Sequence, residues 1–189
     1  VAFYHQSLPY RYETEIRDID GNPSLTINTP MLEIDTIAAG GGSICSLESG
    51  MFKVGPESAG SHPGPCCYGN DGPLTVTDMN LLLGRVQAKQ FPFPLDKNAS
   101  KEKLQSLIDT HQLDLSLAQA AEGFLEVANN NMAAVLKKAS LEKGQDPAAS
   151  HLISFGGASS QHCCKVSELV GISTVIVPEW ASLLSAYGI

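Results

Sequence analysis

Apolar and polar residues alternate in Tyr10–Ile16 (YRYETEI) and in Leu25–Ile27, on either side of the turn signal Asp20-Gly21-Asn22-Pro23. This pattern predicts a hairpin or meander. Pro30 is read as the boundary of the next run, MLEIDTI, which leads into three consecutive glycines, Gly40, Gly41 and Gly42. ICSLESGMFKVG then predicts a second pair of short strands around Ser49-Gly50. From Gly55 to Pro73 glycine and proline are too frequent for a regular element. A loop of that length within a compact domain is functional or disordered. Cys66, Cys67 and Tyr68 prefer burial and so favour an ordered one.

Helical spacing takes over in the second half. Thr77-Asp78 is placed to cap a short helix carrying Leu81, Leu82 and Leu83, which Gly84 ends. Phe91-Pro92-Phe93-Pro94 predicts an extended connector. Leu95 to His111 reads as a polar surface helix, with Ser100 as its cap. The longest helix is predicted from Ser116 to Lys143, opened by the S-x-x-Q capping box of Ser116 and Gln119 and closed by Gly144. Leu117, Ala121, Phe124, Ala128, Met132, Val135 and Ala139 mark its apolar stripe. A buried strand follows from His151, then Gly156-Gly157, a helix from about Gln161 through Val170, and a strand in STVIVP.

Composition narrows the function classes. The 189 residues carry a formal charge of −8, against the basic excess of nucleic-acid binders. Mean hydropathy is −0.01, and no apolar run approaches the roughly 20 residues of a membrane span. No nucleic-acid or membrane partner is expected, and the location is read as cytoplasmic. Five cysteines, Cys45, Cys66, Cys67, Cys163 and Cys164, form no disulfide framework and contain no C-x-x-C. Adjacent cysteines suit one metal ion poorly, so no metal site is assigned.

Several residues carry candidate chemistry, each with two readings. Gly40 to Gly42 with Ser43 form either an anion cradle, in which glycine permits φ > 0 and close backbone approach, or a tight bend. Glu57, Ser58 and His62 lie in the long loop, where His62 is either an acid–base group oriented by a carboxylate or a loop hydrogen-bonder. Asp78 and Asn80 either cap the short helix or line a site. The Asn129-Asn130-Asn131 run is unusual inside a helix. An asparagine there either meets a ligand or braces a loop, with solvent exposure the alternative for at least one of the three. His162 sits at a helix start that disfavours a protonated imidazole, and either faces a ligand or packs as a structural histidine.

IDTIAAGGGS, VGPESAGSHPGPCCYGNDGPLTVTDMNLLLGR and LISFGGASSQHCC resemble, in that order, the blocks of the hydantoinase A/5-oxoprolinase family of ATP-dependent cyclic amidohydrolases. The 5-oxoprolinase branch is the better match, through SHPGP and GGxxQHxC. The resemblance implies an α/β chain that is part of an actin/sugar-kinase-like, ribonuclease H-type ATPase fold. It implies the C-terminal portion of a longer ATP-binding subunit, whose phosphate motifs lie upstream. Residues 1–90 would be its strand- and loop-rich part, 91–115 a variable connector, and 116–189 the long helix with an adenosine motif. The implied reaction is ATP-dependent opening of 5-oxo-L-proline to L-glutamate, or of a hydantoin, or ketone carboxylation, with Mg²⁺ and K⁺ as further cofactors. The implied partners are a hydantoinase B-type domain or subunit and further copies of the chain. By the same resemblance Gly40, Gly41, Gly42, Ser43, Asn129, Gly156, Gly157 and Ala158 hold the nucleotide. Glu57 and Ser58 would face the substrate, and His62, Asp78 and His162 are the catalytic candidates. The Ser159-Ser160 pair departs from the glycine usual there.

Overall fold

In a computed structural model, residues 2–3, 10–17, 23–32, 39–142 and 144–187 are described. Two compact units divide the chain, Phe3–Thr36 and the remainder from Ile37 onward with Val1–Ala2.

The smaller unit is an antiparallel ribbon of β2 (Tyr10–Arg17) and β3 (Pro23–Leu32). The alternating pattern therefore produces the predicted hairpin, although residues 18–22 of its turn and residues 33–38 of the following run lie outside the described residues. Pro30 does not bound a strand. It sits within β3, where the register shifts between Arg11↔Met31 and Glu13↔Asn28, and such a bulge tolerates the missing N–H.

In the larger unit, β4 (Ser43–Glu48) and β5 (Met51–Ser58) form the second hairpin. Its turn residues Ser49 and Gly50 have φ of 52° and 78°, the pair of left-handed residues that a tight two-residue hairpin requires. β5 runs on through Pro56 to Ser58, three residues further than glycine and proline content suggests, so the irregular loop begins at Ala59. α1 (Val76–Leu82), α2 (Lys97–Thr110) and α3 (Leu117–Glu142) pack on this hairpin around Val76, Met79, Leu104, Phe124 and Leu125. Phe52 meets Phe124 edge-on at 4.6 Å. A side chain at Gly123 would come within 2.6 Å of the Phe52 ring, which explains a glycine inside a long helix.

β6 (His151–Ile153) and β7 (Thr174–Ile176) pair in parallel and are joined by α4 (Cys163–Val170). The sheet order is β1-β6-β7, with β1 at Ala2–Phe3, and α5 (Leu184–Tyr187) follows. The capping box at Ser116 and Gln119 forms as expected. Gly144 takes φ of 62° past the end of α3. The buried stripe of α3 differs from the predicted one beyond Ala128. It continues through Asn129, Ala133 and Ser140, leaving Met132, Val135 and Ala139 half-buried.

Two predicted caps are misplaced, and one interaction accounts for both. Thr75, not the Thr77-Asp78 pair, is the N-cap of α1, with Asp78 three residues later completing a capping box. Asp96 caps α2 by accepting from the Ala99 N–H at 2.9 Å. Ser100 lies inside that helix, fully buried, and donates to Asp78 Oδ1 at 2.7 Å. The Asp78 carboxylate, 0 % exposed, also accepts from the N–H of Cys66 (3.1 Å), Cys67 (2.8 Å) and Thr75 (2.8 Å) and from the Thr75 hydroxyl (2.9 Å). It thereby ties the loop, α1 and α2 together.

Removing the carboxylate strands buried donors. Asp78→Ala is expected to cost on the order of 3–5 kcal/mol, and Ser100→Ala about 1–2 kcal/mol, read from guanidinium unfolding midpoints. An Asp78→Ala protein as stable as its parent would show that the loop is held by other means.

Candidate functional site

The glycine run forms a turn closed at both ends by Ser43. The Gly40 N–H donates to Ser43 Oγ at 3.0 Å, and the Ser43 N–H donates to the Gly40 carbonyl at 3.1 Å. None of the three glycines adopts a positive φ, so the expectation that glycine serves a left-handed backbone here is corrected. Space is the reason instead. A Cβ at Gly41 would lie 2.7 Å from Thr77 Oγ1, and one at Gly42 would lie 2.9 Å from Ser58 Oγ. Thr77 donates both its N–H and its hydroxyl to the Gly41 carbonyl, each at 2.9 Å. Among the described residues, no acceptor meets the N–H of Gly41 or of Gly42.

The second glycine cluster comes to the same place. The Cβ position of Gly41 lies 3.7 Å from the Cβ of Ala158, so the Gly40–Ser43 turn and the Gly156–Ala158 turn meet. Gly156 has φ of 95°, which demands glycine, and a Cβ on either Gly156 or Gly157 would face open space. Ser159 turns inward. Its hydroxyl accepts from Ser154 at 2.9 Å and donates to the Gly156 carbonyl at 3.2 Å, bracing the turn rather than filling the space before it.

α1, the middle of α3 and the N-cap of α4 bring three polar side chains together. His162, 3 % exposed, places Nδ1 2.8 Å from Asn129 Oδ1 and Nε2 3.4 Å from Asn80 Nδ2. An amide oxygen only accepts, so Nδ1 carries the proton and Nε2 accepts the weaker bond from Asn80. Burial, and then the positive charge of Arg85, push the His162 pKa down and favour this neutral ring. Asn80 Oδ1 is left buried without a partner. Asn129, also 3 % exposed, is the asparagine that braces a neighbour, while Asn130 and Asn131 face solvent.

Asn129 also lines an open cleft of about 540 Å³ with Arg85, Leu125, Glu126, Gln161 and Lys165. Ser58 reaches the glycine turn through Gly42, and its Oγ accepts from the Gly60 N–H at 3.2 Å. Glu57 and His62 are exposed, and among the described residues no hydrogen bond joins them to each other or to the loop. The thiols of Cys45 and Cys67 are pushed up by burial first and by Asp78 second, which keeps them protonated. Sequence reasoning missed Thr77, Ser100 and Arg85 as parts of this assembly. Their roles are contacts between distant segments, for which periodicity and capping rules carry no signal.

A family model described as hydantoinase/oxoprolinase matches residues 1–189. A 5-oxoprolinase from Pestalotiopsis fici is 45 % identical over 202 residues, covering 100 % of this chain and 15 % of the relative. The chain thus spans about a sixth of the length of such relatives. The alpha subunit of a caprolactamase from Pseudomonas jessenii is 39 % identical over 86 % of this chain and 24 % of its own. The crystal structure of that ATP-dependent caprolactamase superposes with a TM-score of 0.75, at 37 % identity over 86 % of this chain and 24 % of that one. The nucleotide-free structure of an acetone carboxylase does so with a TM-score of 0.77, at 30 % identity over 93 % of this chain and 25 % of that one.

The lowered pKa of His162 sets a pH dependence. Above the ordinary histidine value of about 6.5 both folded and unfolded chains hold the ring neutral. As pH falls below it, the unfolded chain takes up the proton first, so the stability present above that value is lost towards the lower folded-state pKa. The thermal midpoint is therefore expected to fall more between about pH 7.5 and pH 5.5 for the parent than for His162→Gln. Equal slopes would exclude His162 as the source.

Proposed function

The chain belongs to the hydantoinase/oxoprolinase family, and we propose that it forms one wall of the nucleotide cleft of an ATP-dependent cyclic amidohydrolase that opens 5-oxo-L-proline to L-glutamate. The observation that carries this reading is the meeting of the two glycine turns at Gly41 and Ala158. N–H groups without an acceptor among the described residues, on a turn without side chains, are suited to phosphate oxygens. The open face of Gly156 and Gly157 is suited to a ribose. Gly40 to Ser43 thus take the phosphate side, and Gly156 to Ala158 with Asn129 the adenosine side, within an actin/sugar-kinase-like fold. Glu57, Ser58 and His62 form an exposed rim for the cyclic amide.

ATP supplies the phosphoryl group that turns the amide carbon of an unstrained lactam into an electrophile. The residues described here bind and orient. Asp78 has both oxygens occupied by buried donors, and His162 has both ring nitrogens engaged. Both are positioning residues rather than reacting groups. No cluster of three His, Cys, Asp or Glu able to hold a metal exists among the described residues, and Mg²⁺ beside a triphosphate needs only one or two protein oxygens. In this reading Mg²⁺ and K⁺ belong with the triphosphate.

The named alpha subunit among the relatives supports a hydantoinase B-type partner. Assembly with further copies and a cytoplasmic location belong to the same reading. Among the described residues no helix is long and apolar enough to cross a membrane. Likeness to a caprolactamase and an acetone carboxylase keeps a larger lactam, a hydantoin or a ketone as the alternative substrate.

Glutamate release from 5-oxoproline by the whole protein, run beside caprolactam, a hydantoin and acetone, decides the substrate. Gly41→Ala is expected to weaken calorimetric ATP binding at least tenfold, about 1.4 kcal/mol, because the added methyl displaces Thr77 from the Gly41 carbonyl. Unchanged affinity would overturn the phosphate-side assignment. The isolated 189-residue chain is expected to bind ATP in the millimolar range or not at all.

A further inference from the structure

Asn129 faces two ways. Its Oδ1 is committed to His162 Nδ1–H at 2.8 Å, and its amide nitrogen, without a partner among the described residues, belongs to a side chain that lines the cleft between α3 and α4. A primary amide can present either a donor or an acceptor, and nothing in its own shape chooses. Here the choice is made from behind. With the Asn129 oxygen against Nδ1 and the Asn80 nitrogen against Nε2, the neutral ring donates at Nδ1, and the Asn129 NH₂ is left to the cleft. The arrangement leaves Asn80 Oδ1 as a buried, unpartnered acceptor. A charged His162 could serve that oxygen only if the Asn80 amide turned over, so the orphan atom accompanies the neutral ring.

The cleft that receives this NH₂ begins at Gln161, three residues beyond Ala158. Leu125 supplies an apolar surface, Arg85 a planar cation and Gln161 a second amide. A flat, heteroatom-edged ring on the far side of a sugar held at Gly156–Ala158 matches this lining.

We propose that Asn129 is a base-specificity residue of this cleft and that the Asn80–His162 pair sets its polarity, so that the site selects a purine carrying a bare ring nitrogen, as adenine does, over one carrying an N–H there, as hypoxanthine does. The inference rests on the nucleotide reading above and deepens it. An adenine ring nitrogen accepts from the Asn129 NH₂, and its exocyclic amino group finds a carbonyl in Gln161. Hypoxanthine sets N–H against N–H and carbonyl against carbonyl at the same two places, leaving polar groups unpaired in a partly buried site.

The test compares kcat/KM for ATP and ITP in the whole protein. The parent is expected to favour ATP by at least about tenfold. Asn129→Asp keeps the shape and the bond to His162 but offers the cleft an acceptor, and is expected to shift the ratio towards ITP. His162→Leu frees the amide to turn and is expected to flatten the ratio. His162→Gln, whose amide can still donate to Asn129 and accept from Asn80, is expected to retain it. Because Asn129→Asp is nearly isosteric, the test survives a His162→Leu protein that fails to fold. A parent that uses ATP, with Asn129→Asp lowering both nucleotides in proportion, overturns the inference and leaves the nucleotide reading standing. A parent that binds neither nucleotide overturns both.

Discussion

The order of the site depends on one buried carboxylate. A loop without regular hydrogen bonding cannot hold its shape by apolar contacts alone, because its backbone N–H groups need partners once they leave water. Asp78 meets that need for Cys66 and Cys67, and holds Thr75 and Ser100 with the same two oxygens. The loop is thereby fixed to the first turn of α1. The same helix carries Thr77, which holds the Gly41 carbonyl, and Asn80, which contacts His162. A change at Asp78 is therefore transmitted to both glycine turns without touching a ligand.

The larger elements were legible in the sequence where local chemistry decides them. The hairpin at Ser49-Gly50, the capping box at Ser116 and the strand–helix–strand order around α4 follow from turn residues, caps and spacing that act over a few positions. Ser100 and Pro30 misled for the opposite reason. Ser100 has the chemistry of a cap but is taken by a carboxylate 22 residues earlier in the chain. Pro30 has the chemistry of a strand end but falls at a bulge. The glycines at 40–42 suggest a left-handed turn, a conformation they do not adopt. What selects glycine there is the approach of Thr77 and Ser58, which only the folded chain reveals.

The same distinction separates the candidate site residues. Gly41, Gly42 and Ala158 converge, and Asn129 and His162 form a pair, because packing of α1 against α3 and α4 brings them together. Glu57 and His62 are close in sequence yet share no bond among the described residues. Sequence proximity within a glycine-rich loop says little about contact, whereas residues one helical turn from a shared packing surface are constrained to meet.

Buried polar groups in this unit are arranged to fix directions rather than to exchange protons. The Asp78 oxygens, the His162 nitrogens and the Asn129 oxygen are all engaged by protein partners, and in a medium of low dielectric each such bond resists rearrangement. The N–H groups of Gly41 and Gly42 and the Asn129 amide nitrogen have no acceptor among the described residues. Donors held rigidly at the wall of a cleft lower the free energy of an anionic or acceptor-bearing ligand without reorganising as it binds. On the proposed reading a wall of that kind would orient a nucleotide, and acid–base steps on an amide would fall to groups that keep a free lone pair or proton. Of the candidate site residues, Glu57 and His62 keep exposed side chains, as the fully engaged Asp78 and His162 do not.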